Sequence, residues 1–558
     1  MRIAVRPADR QQVARLAQTL GVQPLTASLL LQRGLITSQS ANAFLQPAPP
    51  KEVFPAGLPH LDEAIRRLVL AVKRQEKVFV IGDYDADGVT AACILAETLR
   101  AAGLTPVLRN GSRFTSGYGF HVQQVDEAAQ AEARLIVTLD AGTTAWEAAS
   151  RAKALGIDVI VIDHHDVPEK LPPVFALINP ELPNHSFPEP YPCSAGLAWG
   201  VGLALCRALG LPDRVMDGLL DLAAIGTVAD VVPLLGINRS FVHYGIEALR
   251  RTRRPGLRRL YALLKLAPER IDARSIGFRI APCINAAGRL EDPEVAVTAL
   301  IAEPQQAVAA AERLVTLNDR RRALTEEVAA AAQQQVEAHP GPVTVAYGPW
   351  HPGVVGIVAG KLAQRYGKPS IVFGQRDSTT YTGSARSVEA IDIMDLLEPL
   401  RAQTLSLGGH PQAAGLTVSA EQMEAIAAQL QQIEVEAPQQ EPIVWADASV
   451  RVATFVHPQV VRELSYFPPF GEGNPEPLFA MKGRVKGLRR MGPMGEHLRF
   501  WLKERDAVAP LVWFSAPSLE ADSVWLCLVS GRKNQWQGES SWEGIVERGI
   551  RGRKGSGV

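Results

Sequence analysis

Lys77-Val78-Phe79-Val80-Ile81-Gly82-Asp83-Tyr84-Asp85-Ala86-Asp87-Gly88 sets an apolar run directly against three carboxylates at every second position. The run reads as a buried strand, and the next residues, 89–99, have the apolar spacing of a helix. The acids therefore stand at the carboxyl end of a strand that feeds a helix, which is where open α/β sheets place their ligands. Two carboxylates held ~4 Å apart repel by roughly 4 kcal/mol at an effective dielectric of about 20. Such crowding predicts a divalent cation.

Two later stretches repeat the pattern. Residues 133–139 read as a buried strand ending in Asp140-Ala141-Gly142-Thr143, and residues 157–162 as another ending in Asp163-His164-His165-Asp166. Each alone reads equally well as a solvated loop acid behind a strand. Three in register point to one shared crevice.

The remaining pattern bounds the architecture. A chain of 558 residues is too long for one core and predicts three or four domains. Hydrophobic residues at 47% and charged residues at 21% describe a globular protein. No apolar run reaches membrane-spanning length, since residues 195–206 are interrupted by Arg207. Residues 1–10 carry early charges and Pro7, unlike a secretory signal. Five cysteines without a C-x-x-C read as reduced core residues of a cytoplasmic protein. The net charge is zero, whereas a polyanion-binding chain often shows a basic excess. Arg250, Arg251, Arg253, Arg254, Arg258, Arg259 and Lys265 cluster, either along a phosphate path or on a solvated helix face.

Residues 1–50 look helical up to the breaker Pro47-Ala48-Pro49-Pro50, as a brace for the first sheet domain. Strands are expected at 78–81, 106–108, 135–139, 159–162 and 176–178, alternating with helices as in right-handed βαβ units. An apolar helix-like run at 215–232 delivers Asp230 near its end, before Pro233. Residues 304–337 contain almost no breaker and read as one helix of roughly 50 Å. A second, smaller α/β unit is expected from 343 to about 435. Beyond 440, short strands and Gly-rich turns hold five of nine tryptophans (501, 513, 525, 536 and 542), which fits a small barrel with most of these rings in its core.

The Asp163-His164-His165 triplet, Asp85-Ala86-Asp87 and Asp140 resemble the motifs of the DHH phosphoesterases. Ordered motifs narrow the resemblance to the RecJ family of single-strand-specific 5′-to-3′ DNA exonucleases. They are Gly226-Thr227-Val228-Ala229-Asp230, Asn285-Ala286-Ala287-Gly288-Arg289-Leu290, and the run from Trp350-His351-Pro352-Gly353 to Ala359. Ser384-Ala385-Arg386-Ser387, Gly408-Gly409-His410-Pro411-Gln412-Ala413-Ala414-Gly415 and Pro469-Phe470-Gly471-Glu472-Gly473-Asn474-Pro475 complete the set. The similarity spans residues from about 25 to about 490.

The resemblance implies a helical N-terminal segment (1–50), a parallel-sheet DHH domain (51–303) and a long connecting helix (304–339). After these come a DHHA1-like substrate-binding domain (340–438), an OB-like nucleic-acid-binding barrel (439–547) and a disordered basic tail (548–558). Asp85, Asp87, Asp140, His164 and Asp230 are the candidate metal ligands, with Asp83 as a further ligand or support. Four carboxylates and one imidazole suit Mn²⁺ or Mg²⁺ and lack the thiolates of structural zinc sites. Two divalent cations match the four negative charges, and in the family an Asp like Asp140 bridges both. Asp163 is expected to orient a histidine. His165 and His410 are candidates to hold charge on the scissile phosphate. Arg386 with Ser384 is the candidate clamp for a terminal 5′-phosphate, joined by Arg289 and Arg113, although Ser112 replaces the Asn that often precedes this last arginine in the family. Gly408 and Gly409 are small enough to let a phosphate approach backbone N–H groups. Trp350 and His351 read equally as strand contacts or packing. Single-stranded DNA is the implied substrate, with a single-strand-binding protein and a helicase as implied partners in recombination and repair.

Two rival readings differ in identifiable residues. Pyrophosphatases and short-oligonucleotide or cyclic-dinucleotide phosphodiesterases of the superfamily carry a His four residues before the first metal Asp, where this chain has Ile81. A non-catalytic scaffold would have lost the metal ligands, and all five candidates are present here.

Overall fold

The N-terminal segment begins with a strand, β1 (Arg2–Val5), before its helices Arg10–Leu20, Pro24–Gln32 and Ser38–Leu45. The computed structural model describes residues 2–111, 119–388, 391–433, 435, 443–536 and 539–552. The next five strands are β2 (Val78–Gly82), β3 (Val107–Asn110), β4 (Leu135–Leu139), β5 (Asp158–Ile162) and β6 (Ala176–Ile178). They form an all-parallel sheet of order β3-β2-β4-β5-β6. Helices cover both faces, so β2 and β4 are buried along their whole length, as their unbroken apolar runs require. Strand order reverses between β2 and β4, the crevice where such sheets bind ligands.

Register aligns the acids. Gly82, Leu139, Ile162 and Ile178 form one row across the sheet. Asp83, Asp140, Asp163 and Asn179 are each the next residue. The ladder continues through them, with the N–H groups of Asp83, Asp140 and Asp163 donating to the carbonyls of Leu139, Ile162 and Ile178 at 3.1, 3.0 and 3.0 Å.

Helix Ala86–Ala101 is buried on nearly every side, packed between the sheet and helices Ser194–Ala208 and Leu220–Ala229. The apolar run 215–232 is not one helix. It splits into Arg214–Asp217 and Leu220–Ala229 around Gly218, and Asp230 caps the second piece. Helix Pro304–Ala338 is continuous over 35 residues.

The second sheet contains β7 (Thr344–Gly348), β8 (Ser370–Gln375), β9 (Thr380–Arg386), β10 (Ser406–His410) and β11 (Ala413–Ser419), in the order β10-β11-β9-β8-β7. Its only parallel pair is β7–β8. The last strands are β12 (Ile443–Ala446), β13 (Ala448–Ser449), β14 (Phe479–Met491), β15 (His497–Glu504), β16 (Ala507–Trp513), β17 (Val524–Trp536) and β18 (Glu539–Arg551). Pairing β14-β15-β16-β18-β17 and back to β14 closes a five-stranded barrel. Trp513 and Trp525 are buried in it, Trp542 packs against its core, and Trp501 is exposed. The side chain of Trp536 lies outside the described residues.

Two expectations are corrected. The tail is not disordered from 548, because β18 runs to Arg551 and pairs with β17. Gly549 permits this, since a Cβ there would meet the Trp513 ring at 2.6 Å. Residues 553–558 lie outside the described residues. The N-terminal segment is not a separate brace either. β1 pairs in parallel with β12, and Leu16, Leu29, Leu30 and Phe44 join Phe455, Phe467 and Phe500 in the barrel-side core.

Arg239, 1% exposed, ties these parts to the first sheet domain. Its guanidinium donates to the carbonyls of Phe44 (2.8 Å), Tyr466 (2.8 Å), Phe467 (2.9 Å) and Pro468 (3.0 Å), with its plane 3.8 Å from the Phe44 ring. The arginine cluster at 250–259 is largely engaged within the fold. Arg250 donates to Ile271 O, Arg254 to Asp221 and Arg259 to Glu312.

Candidate metal centre

Asp85 caps the helix that β2 feeds. Its Oδ1 accepts from the N–H groups of Asp87 (2.9 Å) and Gly88 (3.0 Å). Gly88 is required because a Cβ there would lie 2.6 Å from Asp83 N. The alternation Asp-x-Asp-x-Asp thus divides the work: Asp83 continues the sheet, Asp85 caps, and Asp87 points from the first helical turn. Asp87 accepts from the N–H groups of Ser194 (2.8 Å) and Ala195 (2.9 Å) at the start of helix Ser194–Ala208.

Asp140 adopts φ +63°, a left-handed conformation that Asp tolerates better than most residues. Its Oδ1 lies 3.2 Å from Ser194 Oγ and 3.2 Å from His164 Nε2. That nitrogen is also 3.7 Å from Asp230 Oδ2 and 3.8 Å from Asp87 Oδ2. Three groups of side chains bring ligand atoms within 4.8 Å of one another: Asp83, Asp85 and Asp140; Asp87, His164 and Asp230; and Asp140, His164 and His165. All six candidate metal residues gather at the β2–β4 crevice, with Asp140 common to two groups.

The electrostatics fit cations. Burial, and then the carboxylates of Asp87, Asp85 and Asp83, push Asp140 well above the usual carboxylate range. Burial with Asp87 and Asp85 pushes Asp230 up to about 8. Asp87 is also raised by burial, against the pull of His164. Among the described groups nothing supplies the balancing positive charge inside this cluster except the histidines, and burial lowers His164. Hard carboxylate oxygens plus imidazole are a donor set for Mn²⁺ or Mg²⁺.

Asp163 does not join the ligand groups. Against burial, hydrogen bonds from His165 and Thr143 hold it well below the usual carboxylate range. His165 Nδ1 sits 2.7 Å away, and Thr143 donates through N–H (3.1 Å) and Oγ1 (2.7 Å). Burial alone would lower His165, but the Asp163 carboxylate overrides it and pushes the imidazole up to about 9.

A second cluster forms where the two α/β domains meet. Ser384 and Arg386 on β9 hydrogen-bond at 2.9 Å beside Gly356 of helix Pro352–Tyr366. Arg289 donates to Gly353 O at the start of that helix (3.3 Å). Arg289 belongs to helix Ala281–Leu290, whose Asn285 Oδ1 accepts from Ala86 N–H (2.7 Å) and whose Gly288 sits against Tyr84 O. One helix therefore touches both the acidic loop and the arginine cluster. Gly408, Gly409 and His410 lie on edge strand β10, and His410 Nδ1 reaches Asp166 Oδ2 across the domains (3.1 Å). Arg113 lies outside the described residues. His351 accepts from Gly353 N–H as a helix cap, and the Trp350 ring packs over Gly348, so both have packing roles.

Sequence reasoning missed Asn179, Asn285 and Ser194. Asn179 follows β6 in the row of strand-end acids and donates to Thr143 Oγ1 and His165 O. The strand-end rule applied once more would have found it. Ser194 opens an apolar run and gives no signal. Val231, directly after Asp230, has φ +60° and is 62% exposed, at a cost of about 1–3 kcal/mol.

Three family models match successive stretches: the DHH family, N-terminal domain, at residues 77–227, the DHHA1 domain at 341–436 and the RecJ OB domain at 446–548. The chain is 34% identical over 533 residues to the single-stranded-DNA-specific exonuclease RecJ of Bacillus subtilis (strain 168), covering 94% of this chain and 67% of that one. It is 30% identical over 504 residues to the corresponding Escherichia coli (strain K12) protein, covering 84% and 85%. The crystal structure of RecJ in complex with Mn²⁺ from Thermus thermophilus superposes with a TM-score of 0.84 at 30% identity, covering 99% of this chain and 79% of that one. A second structure from that organism, in complex with Mg²⁺, gives a TM-score of 0.77 at 28% identity, covering 99% and 78%.

Proposed function

The chain belongs to the RecJ family, and from that membership together with its acidic centre we propose that it is a metal-dependent exonuclease that hydrolyses single-stranded DNA from a 5′ end to mononucleotides. The observation that carries the reading is the convergence of Asp83, Asp85, Asp87, Asp140, His164 and Asp230 on one crevice with raised carboxyl pKa values.

Two divalent cations, Mn²⁺ or Mg²⁺, fit this donor set, with Asp140 shared between the ligand groups; when bound they would supply Lewis-acid charge to the phosphate and acidify the attacking water. The chain's own residues do the rest. Asp87 is fixed by two backbone N–H groups and presents its carboxylate without reorganisation. His165, kept protonated at neutral pH by Asp163, donates toward charge developing on the scissile phosphate. Arg386, Ser384 and Arg289 hold the terminal 5′-phosphate, because guanidinium contacts phosphate bidentately. Arg113 is a further candidate there. Gly408 and Gly409 admit backbone approach to the strand, and His410 faces the cleft beside Asp166.

The closed barrel supplies a further single-strand surface, with Trp501 exposed on β15. Substrate of this kind arises where duplex is unwound, so a helicase and a single-strand-binding protein are the partners this reading implies, in recombination and repair. The setting would be the cytoplasm; no helix among the described residues is long and apolar enough to cross a membrane. A denaturing-gel time course tests the proposal with end-labelled strands in Mn²⁺, Mg²⁺ or chelator. Equal cutting of circular, 5′-dephosphorylated and 5′-phosphorylated linear strands would overturn the end-clamp assignment.

A further inference from the structure

Val231 stands in a conformation that the position after a helix C-terminus ordinarily fills with Gly or Asn. For a β-branched residue this is a genuine outlier. Its exposure means that burial of the isopropyl group offers no compensation. Strain of this kind persists only where the surroundings over-determine the backbone.

They do so immediately downstream. Leu234 N–H donates to Glu472 O at 2.8 Å. Asn238, fully buried, donates to Pro233 O at 3.1 Å and Tyr191 O at 2.9 Å. A Cβ on Gly473 would lie 2.9 Å from Pro233 Cβ, and one on Gly471 2.7 Å from Leu234 Cδ1. The loop making these contacts, 469–475, belongs to the barrel side. It is held by buried Asn474, which donates to Phe467 O and Pro469 O and accepts from Arg33. The motif Pro469-Phe470-Gly471-Glu472-Gly473-Asn474-Pro475 is thus a clasp on the segment after Asp230. Only Val231 and Val232 separate the clasped residues from that carboxylate.

We propose that Val231 is a positioning residue: the stiff left-handed turn it forms, closed by the 469–475 clasp, fixes the angle at which Asp230 joins Asp87 and His164. The inference rests on the metal reading of that cluster. Glycine would make the same turn with less strain but would admit many others. A β-branched residue holds the clamped chain to one.

The test compares Val231→Gly, Val231→Asn and Val231→Ile with the wild-type protein and with Asp87→Ala. Mn²⁺ affinity is measured calorimetrically without DNA, alongside thermal melting and steady-state kinetics on a 5′-phosphorylated strand. Val231→Gly and Val231→Asn are expected to melt no lower than wild type, to bind Mn²⁺ about ten-fold more weakly and to lose about ten-fold in kcat, with KM within about two-fold. Val231→Ile, equally branched, restores both. Wild-type Mn²⁺ affinity in Val231→Gly and Val231→Asn overturns the proposal, whatever their melting temperature. So does a rise in KM alone, which would make the side chain a DNA contact. Asp87→Ala reports separately on the metal reading, which fails if that variant keeps wild-type Mn²⁺ binding.

Discussion

His165 Nδ1 and Asp163 Oδ1 lie 2.7 Å apart, and the same carboxylate oxygen accepts the His164 backbone N–H at 2.8 Å. One acid therefore fixes both the ring and the backbone of the histidine pair. With Nδ1 committed, Nε2 is the donor left to the cleft.

Removing that charge should move a pH limb. His165 is held near 9, so its proton is present at neutral pH and lost as pH rises through that value. In Asp163→Asn the imidazole returns toward the ordinary histidine range, and the alkaline fall in kcat should appear about 1–2 pH units earlier. A pH–rate profile in saturating Mn²⁺ checks this, and an unmoved limb would remove His165 from the reaction.

Metal-free stability should fall as pH rises. Asp230 is raised to about 8 and Asp140 and Asp87 are also raised, so the folded state holds protons that the unfolded chain has released by about pH 4. Their penalty is absent below that pH, grows through the interval, and is complete above pH 8. Mn²⁺ should restore the loss, by about 2.7 kcal/mol at 100 times its Kd. Melting curves at pH 5, 6.5 and 8, with and without Mn²⁺, measure both effects.

Asp140→Asn should separate stability from activity. It removes the most crowded carboxylate while keeping a residue that tolerates φ +63°. We expect the metal-free variant to gain about 1–2 kcal/mol near pH 8 and to lose at least about 10³-fold in kcat. A variant that is both less stable and active would contradict the cluster's role.

Arg386→Ala should blind the enzyme to the end. Loss of a charged hydrogen-bonding group is worth about 1.5–3 kcal/mol, or roughly 10–150-fold in kcat/KM on 5′-phosphorylated strands. The same variant should treat phosphorylated and dephosphorylated ends alike. Competition between the two substrates in one reaction measures the ratio.

Arg239→Met should cost about 3–5 kcal/mol, because it leaves the carbonyls of Phe44, Tyr466, Phe467 and Pro468 unpaired. Urea unfolding followed by tryptophan fluorescence reads the loss.

The acidic centre was legible because a parallel sheet in even register turns sequence into geometry. Each strand ends one residue before a polar group, so Asp83, Asp140 and Asp163 had to fall in line. The long helix was equally plain, since residues 304–337 contain nothing to stop it. Arg239 was not legible. Within a helix it looks like a solvated charge, and its partners are backbone carbonyls about 200 residues away in either direction. The 469–475 motif was visible, but its targets, Pro233 and Leu234, gave no mark of their own. The end of β18 was hidden because Gly and Arg signal a loose tail unless the tryptophans beneath Gly549 are known.

The core shared by the first helices and the barrel sets an order in time. Phe44 leaves the ribosome about 400 residues before Val452, the first barrel-side residue of that core. At about 5–20 residues per second this is an interval on the order of 20–80 s. Throughout it the apolar faces of the nascent leading helices lack their partner, while the parallel-sheet domain can already close. Assembly must finish backwards, with the last segment synthesised sheltering the first.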